Sequence, residues 1–421
     1  MAPPIAELRL HPLAFFVALP FLGSCQGEAA GESVASNTAY LIARSDEIGL
    51  RRHPVVVLGI EHGCVLDDLG SVRCWGSNVY EQLGYASSWK LHERGLTDAL
   101  PLSSTPNSIV AGAWHTCALL DGKEKKRAGK ITCWGRNDSG QIGEWAPYRV
   151  KGPVTRELNE LLELDANGEP IAPVLAGGPF YSCMAINGHV SCWGSDAASA
   201  SVVAWNISNF GKARSVVTGR DHACALVEDG AVWCWGNNAS DQRGLATAGR
   251  TYRWKTEEKQ IPYWQPTKAA LREPAVEIAA GLYHTCARLR TSEVTCWGSD
   301  AMGQRGVERR KFDYESTIEP IAIDFRRVDR PQKVVAGSHH SCALFPQEII
   351  CWGRNDDGQL GYQSAPVESL GSVQSEMPGA AVDLAKIGAE GRKLKDVFAG
   401  GSTSCATFED GAIACWGALP L

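Results

Sequence analysis

Apolar and polar positions alternate along this chain in short runs, and the runs come in pairs separated by a turn. The clearest pair is Cys183-Met-Ala-Ile186, then Asn187-Gly188, then His189-Val-Ser-Cys192. A period of two marks strands, and Asn-Gly between two such runs is the strongest short signal for a two-residue hairpin turn. Counting outward from the tip pairs Ile186 with His189, Ala185 with Val190, Met184 with Ser191 and Cys183 with Cys192. The same pattern is written seven times: a glycine, usually a histidine, a cysteine, an apolar run, a turn and Cys-Trp-Gly. The copies cover residues 59–76, 112–135, 178–194, 219–236, 281–298, 337–353 and 400–417. Units of about 40–65 residues built from short strands predict a radial or stacked array and override a domain count taken from length.

Alternation puts Cys64 and Leu66 on one face of a strand and Val65 on the other, so both faces are apolar. That suits a sheet sandwiched between two others. Trp75 and its six equivalents point away from the neighbouring cysteine and are expected to pack between sheets.

The motifs hold fourteen of the fifteen cysteines. Around residues 68–70, 228–230 and 409–411 the turn gains a residue and ends in glycine, which restores the same cysteine pairing as the shorter Asn187-Gly188 turn. In copy three the pair falls at a non-hydrogen-bonded position, where opposite Cα atoms are about 4.5 Å apart, within disulfide reach. The expected bridges are Cys64–Cys74, Cys117–Cys133, Cys183–Cys192, Cys224–Cys234, Cys286–Cys296, Cys342–Cys351 and Cys405–Cys415. The alternative is small buried free thiols filling core sites. A second competing reading joins His62, His115, His222, His284 and His340, each two residues before the first cysteine, to the cysteines as zinc ligands. Tyr181 and Thr403 replace the histidine while both cysteines stay, so no metal site and no cofactor are expected. The histidines are expected to be structural, bonded to backbone near a sheet edge.

The pattern Gly-x-x-His-Thr-Cys-Ala-Leu, then Cys-Trp-Gly-x-Asn-x-x-Gly-Gln-Leu-Gly, resembles the regulator of chromosome condensation repeat family. Residues 112–119 with 133–143, and Cys351-Trp-Gly-Arg-Asn355-Asp-Asp-Gly358-Gln359-Leu-Gly361, carry it best, and it covers residues 54–417. The resemblance implies an all-β fold, a seven-bladed β-propeller with one four-stranded blade per repeat. Copy three departs from it, reading Ser195-Asp196-Ala-Ala-Ser-Ala200 in place of the Asn-x-x-Gly-Gln tail. Eukaryotic nuclear and cytosolic members generally lack a cysteine pair in every blade, so this member looks adapted to an oxidising compartment. Only Ala-Leu-Pro-Leu421 follows the last Cys-Trp-Gly, so an N-terminal strand within Thr38-Ala-Tyr-Leu-Ile-Ala-Arg44 is expected to close the last blade.

Residues 1–24 read as an export signal: Arg9, then an apolar run from Leu13 to Leu22 that is too short for a membrane span. Leu22-Gly23-Ser24-Cys25 resembles a bacterial lipobox, which makes Cys25 the lipidation site. Residues 25–37, small and polar, have the composition of a tether, and 38–421 form the propeller. The expected location is the bacterial outer membrane or periplasm, lipid-anchored; the alternatives are a cleaved, secreted protein and a misread start.

No nucleophile elbow, phosphate loop or His-Glu-x-x-His segment is present, so no catalytic residue is assigned. A net charge of −6 argues against a broad nucleic-acid footprint. What varies between copies is the connection after Cys-Trp-Gly. Candidate partner-binding residues there are Tyr252, Arg253, Trp254, Tyr263 and Trp264 after copy four, and Arg309, Arg310 and Arg326 after copy five. The competing reading folds these loops over the propeller body. Residues 155–164 are expected to form a short amphipathic helix. The expected function is a monomeric, non-catalytic binding or scaffold propeller of the cell envelope for a protein or glycan, touching the membrane only through its anchor. The alternative is an envelope hydrolase or lyase working on a propeller face. Nucleotide exchange, the activity of the family's nuclear namesake, would need a small GTPase that an exported protein does not meet.

Overall fold

A computed structural model describes residues 40–43, 54–86, 92–93, 95–121, 129–143, 152–158, 161–165, 170–195, 205–207, 210–245, 265–307, 320–362 and 380–418. Seven antiparallel sheets follow one another along the chain. Blade one is Val55–Leu58, His62–Leu66, Val72–Ser77 and His92–Glu93. Blade two is Pro106–Ala111, His115–Leu120, Lys130–Gly135 and Val154–Glu157, and blade three is Val174–Gly177, Tyr181–Ile186, His189–Gly194 and Trp205–Ile207. Blades four and five follow as Ala213–Thr218, His222–Val227, Val232–Gly236, Thr267–Lys268, and Ala275–Ala280, His284–Leu289, Val294–Gly298, Ile321–Ala322. Blade six keeps three strands, Lys333–Ala336, His340–Leu344 and Ile349–Gly353. The fold is a seven-bladed propeller.

Blade seven joins Leu394–Gly400, Thr403–Phe408 and Ile413–Gly417 to Tyr40–Ala43 at its outer edge. The closing strand runs antiparallel to its neighbour, with Tyr40 opposite Cys415 and Ala43 opposite Ile413. The first and last described strands therefore meet in one sheet, which closes the ring.

The turns decide the register. Asn187 and Gly188 have φ of 49° and 78°, the double left-handed geometry of a type I′ turn, and the pairs counted from the sequence are those observed. Every cysteine pair sits at one register position, with Cα separations of 4.0 or 4.1 Å, and each pair is bridged. The described residues of 155–164 include no helix: Val154–Glu157 is the outer strand of blade two, because pairing with residues 130–133 satisfies its backbone.

Side chains from each second strand lock neighbouring blades. His62 Nε2 lies 2.8 Å from Thr116 Oγ1, His115 2.8 Å from Ser182 Oγ, and His222 2.9 Å from Thr285 Oγ1. His284 and His340 do the same to Ser341 and Ser404, both at 2.8 Å. The partner is thus a hydroxyl of the next blade, not backbone as the sequence suggested. Around these rings the backbone is already committed to the ladders, and the register aims each imidazole across the blade gap. Ser182 donates onward to the Gln141 carbonyl at 2.9 Å, which also accepts the Trp193 indole N–H at 2.9 Å. Trp134, Trp297, Trp352 and Trp416 repeat that bond to Gln82, Gln242, Gln304 and Gln359. The Gly-Gln tail is therefore a clasp on the next blade's tryptophan. Blade three lacks it, and there Trp235 stacks on Phe210 with centroids 6.1 Å apart.

Candidate functional site

The inner strands surround a central channel of about 300 Å³, walled by residues 56–60, 110–113, 175–179, 216–219, 280–282, 335–338 and 398–401. That wall holds Val, Leu, Ile, Ala, Gly, Pro and Phe, with Thr218 and Ser338 as its polar side chains and no titratable group. Seven glycines, one per blade, ring its mouth at one end. A Cβ on Gly59 would stand 2.6 Å from the Gly112 carbonyl oxygen, and the contact passes on through Gly178, Gly219, Gly281, Gly337 and Gly401 back to Gly59. Only a residue without a side chain lets the blades approach this closely. The N–H groups of Gly59, Gly112, Gly178, Gly219, Gly281 and Gly337 are satisfied within their blades, as Gly59 to the His62 carbonyl at 2.8 Å.

The residue just before each repeated histidine position stands on the rim of this end. In order these are Glu61, Trp114, Phe180, Asp221, Tyr283, His339 and Ser402. Two clusters form. Arg136 places its guanidinium 4.8 Å from the Trp114 ring centroid and 5.1 Å from that of Tyr80, while Phe180 lies 6.2 Å from Trp114. Asp138 accepts from Arg136 Nε at 2.8 Å and fixes the sandwich. Across the rim, Arg220 lies 5.5 Å from the Tyr283 ring and donates to its hydroxyl, and Tyr283 stacks on His339 at 5.9 Å. Burial, then the nearby Arg354, lowers the pKa of His339. The five latch histidines are wholly buried, and desolvation lowers them to about 4 for His62 and about 3 for the rest. They face hydroxyls inside the blade gaps, and no group of potential metal ligands occurs among the described residues. The rim holds rigid aromatics and arginine in fixed geometry around an apolar hole, residue types enriched at interfaces.

The profile of the regulator of chromosome condensation (RCC1) repeat matches residues 56–82, 107–141, 213–242 and 275–304, and a second profile of that repeat matches 229–288. RCC1 repeats thus occur along this chain, consistent with the RCC1 repeat family. It is 25% identical over 276 residues to protein pim1 of Schizosaccharomyces pombe, covering 60% of this chain and 48% of that protein, so it spans about half the length of that relative. Guanine nucleotide exchange factor SRM1 of Saccharomyces cerevisiae is 25% identical over 392 residues, covering 82% and 77%. Among solved structures, Prp20p of S. cerevisiae superposes with a TM-score of 0.64 at 23% identity, over 82% of this chain and 80% of that one. Human WBSCR16 gives 0.62 at 17% identity, over 87% of each. At these identities the structures show the propeller fold.

Within the propeller the predicted partner-binding residues divide. Tyr252, Arg253, Trp254, Tyr263, Trp264, Arg309 and Arg310 lie outside the described residues, as does Cys25. They belong to connections that leave third strands at Gly236 and Gly298 and rejoin the outer strands at Thr267 and Ile321. Both connections therefore begin and end at the channel-mouth end. Arg326 does not share that end. The outer strand Ile321–Ala322 intervenes and carries the chain to the hairpin end, where Arg326 is exposed with φ 50° and its N–H donates to Asp324 Oδ1 at 2.9 Å. Its neighbour Phe325 is buried edge-on against Phe345 and Trp352. Sequence reasoning missed the rim. Its signal was the variable residue just before each repeated histidine position, which is aromatic in three copies.

Proposed function

We propose that this chain is a lipid-anchored protein of a bacterial cell envelope whose propeller, without catalysing a reaction, binds a protein partner at the channel-mouth end. The observation that carries this reading is the pair of aromatic–arginine clusters around an apolar channel. Tyr80, Trp114, Arg136 and Tyr283 are residue types that dominate protein interfaces, and here neighbouring blades hold them in place before any partner arrives, which lowers the ordering cost of binding. A protein suits this surface better than a glycan, because the channel wall offers a sugar almost no hydrogen-bonding side chain. Related propellers support the class of partner: Prp20p is described for its binding to Gsp1p and histones, and another structure holds Kap60 on the yeast protein. The export signal, the lipobox at Cys25 and a cysteine pair in every blade support the envelope and speak against exchange on a small GTPase.

The test has two arms. Cys25→Ser should move the protein from the membrane to the soluble fraction. An immobilised fragment 26–421 should capture a protein from envelope extract that is lost with Arg136→Ala and kept with Val328→Ser, which alters the opposite end. Capture insensitive to Arg136 but abolished at Val328 would overturn the assignment of the face.

A further inference from the structure

The direction of the closing strand says which way this propeller faces. Gly417 pairs with Thr403, next to the channel-mouth turn, while Ile413 lies near the hairpin turn at Asp410 and Gly411. Tyr40 is opposite Cys415 and Ala43 opposite Ile413, so the strand enters from the channel-mouth end and runs toward the hairpins. The chain preceding Tyr40 therefore leaves the propeller on the same end as the aromatic rim.

Resting on the reading of Cys25 as the lipid anchor, we infer that the anchor holds the rim toward the membrane and that the docking partner is a protein of that same membrane. Cys25 and Tyr40 are separated by 40 − 25 = 15 residues. Fully extended, they span at most about 50 Å, and the small, polar composition sets a mean span of about 20 Å. A strand of six residues is itself about 20 Å long, so turning the hairpin end to the bilayer uses up the mean reach of the tether. The rim meets the membrane side first. The tether also concentrates the rim there: a short linker gives effective concentrations in the millimolar range, enough to raise apparent affinity about 10²- to 10⁴-fold over the untethered propeller. A partner in the same bilayer gains that factor, whereas a soluble partner does not.

The hairpin end offers the competing surface. Its exposed apolar residues include Leu69, Leu161, Leu164 and Val328, the last wholly exposed. They are spread over blades one, two and five and the connections that follow them, without an aromatic–arginine cluster beside them among the described residues.

The experiment uses the full-length chain in its own cells, with a photo-cross-linking amino acid replacing Glu61 on the rim or Val328 at the hairpin end. The inference expects an adduct with an integral membrane protein from position 61, little from position 328, and at least a tenfold loss from position 61 when Cys25→Ser is added. Adducts with the membrane protein chiefly from position 328, or only with soluble proteins from position 61, would overturn it. Membrane fractionation of the Cys25→Ser chain separates the two failures. If that chain stays bound, the anchor reading falls; if it is released while position 328 gives the adduct, only the orientation falls.

Discussion

His115 Nε2 lies 2.8 Å from Ser182 Oγ, and the two belong to adjacent blades 67 residues apart in the chain. Because Ser182 donates its own proton to the Gln141 carbonyl, the imidazole must be the donor through Nε2–H, and burial, which lowers its pKa to about 3, keeps it neutral. His115 Nδ1 is left without a partner among the described residues.

Ser182→Ala removes the acceptor and strands a buried imidazole N–H. Leaving such a group unsatisfied costs about 1–3 kcal/mol. Urea denaturation at pH 7.5 should show that loss, with Trp193 still bonded to Gln141 and the fold retained by circular dichroism. A change below about 0.5 kcal/mol, as for a surface substitution, would contradict the latch.

The five buried histidines make stability depend on pH. Their folded pKa values are lowered to about 3–4 from the ordinary 6.5, chiefly by desolvation. Below pH 6.5 the unfolded chain takes up protons that the folded chain does not, so their contribution is complete above 6.5 and falls as pH drops toward 3–4. Each histidine contributes a slope of about 1.4 kcal/mol per pH unit. The urea midpoint should fall steadily from pH 7 to pH 5, and His284→Gln should make that slope shallower. A midpoint flat over this range would refute the neutral-latch account.

Non-reducing peptide mapping of the native protein should recover seven links, Cys64–Cys74 through Cys405–Cys415, each within one blade. A bridge closing a loop of 9 to 16 residues contributes about 2.5–3 kcal/mol in the chain-entropy picture. Links between blades, or free thiols at these positions, would contradict the assignment.

Removing 38–44 deletes the strand that closes blade seven and exposes the edge of Ile413–Gly417. The melting temperature should fall far more than after removal of 26–36. Equal melting temperatures for the two deletions would mean that the pairing of Tyr40 with Cys415 contributes little to closure.

The propeller was legible because its information is local and repeated. A two-residue turn at Asn187-Gly188 fixes register, and register fixes which side chains face which neighbour. The closing strand was legible from what the last copy lacked. The latch partners were not, because Thr116 and Ser182 look like ordinary strand residues until the next blade is set beside them. Residues 155–164 read as a helix because spaced leucines mimic a helical period, while the pairing of Glu157 with Lys130 lies in another part of the chain. Arg326 was misplaced for a similar reason. A two-residue strand at Ile321–Ala322 is too short to show in the sequence, yet it carries the chain to the opposite end.

The central claim is that this propeller binds its partner at the channel-mouth end. The most direct measurement takes the captured partner and determines affinity and melting temperature for Trp254→Ala, Trp264→Ala, Arg310→Ala and Arg326→Ala side by side. Truncating an interface tryptophan or arginine typically costs about 2–4 kcal/mol. The first three should therefore weaken binding at least tenfold at unchanged melting temperature, and Arg326→Ala should leave it intact. Loss of binding with Arg326→Ala alone, or unchanged affinity with lowered melting temperature for both tryptophan variants, would contradict the claim.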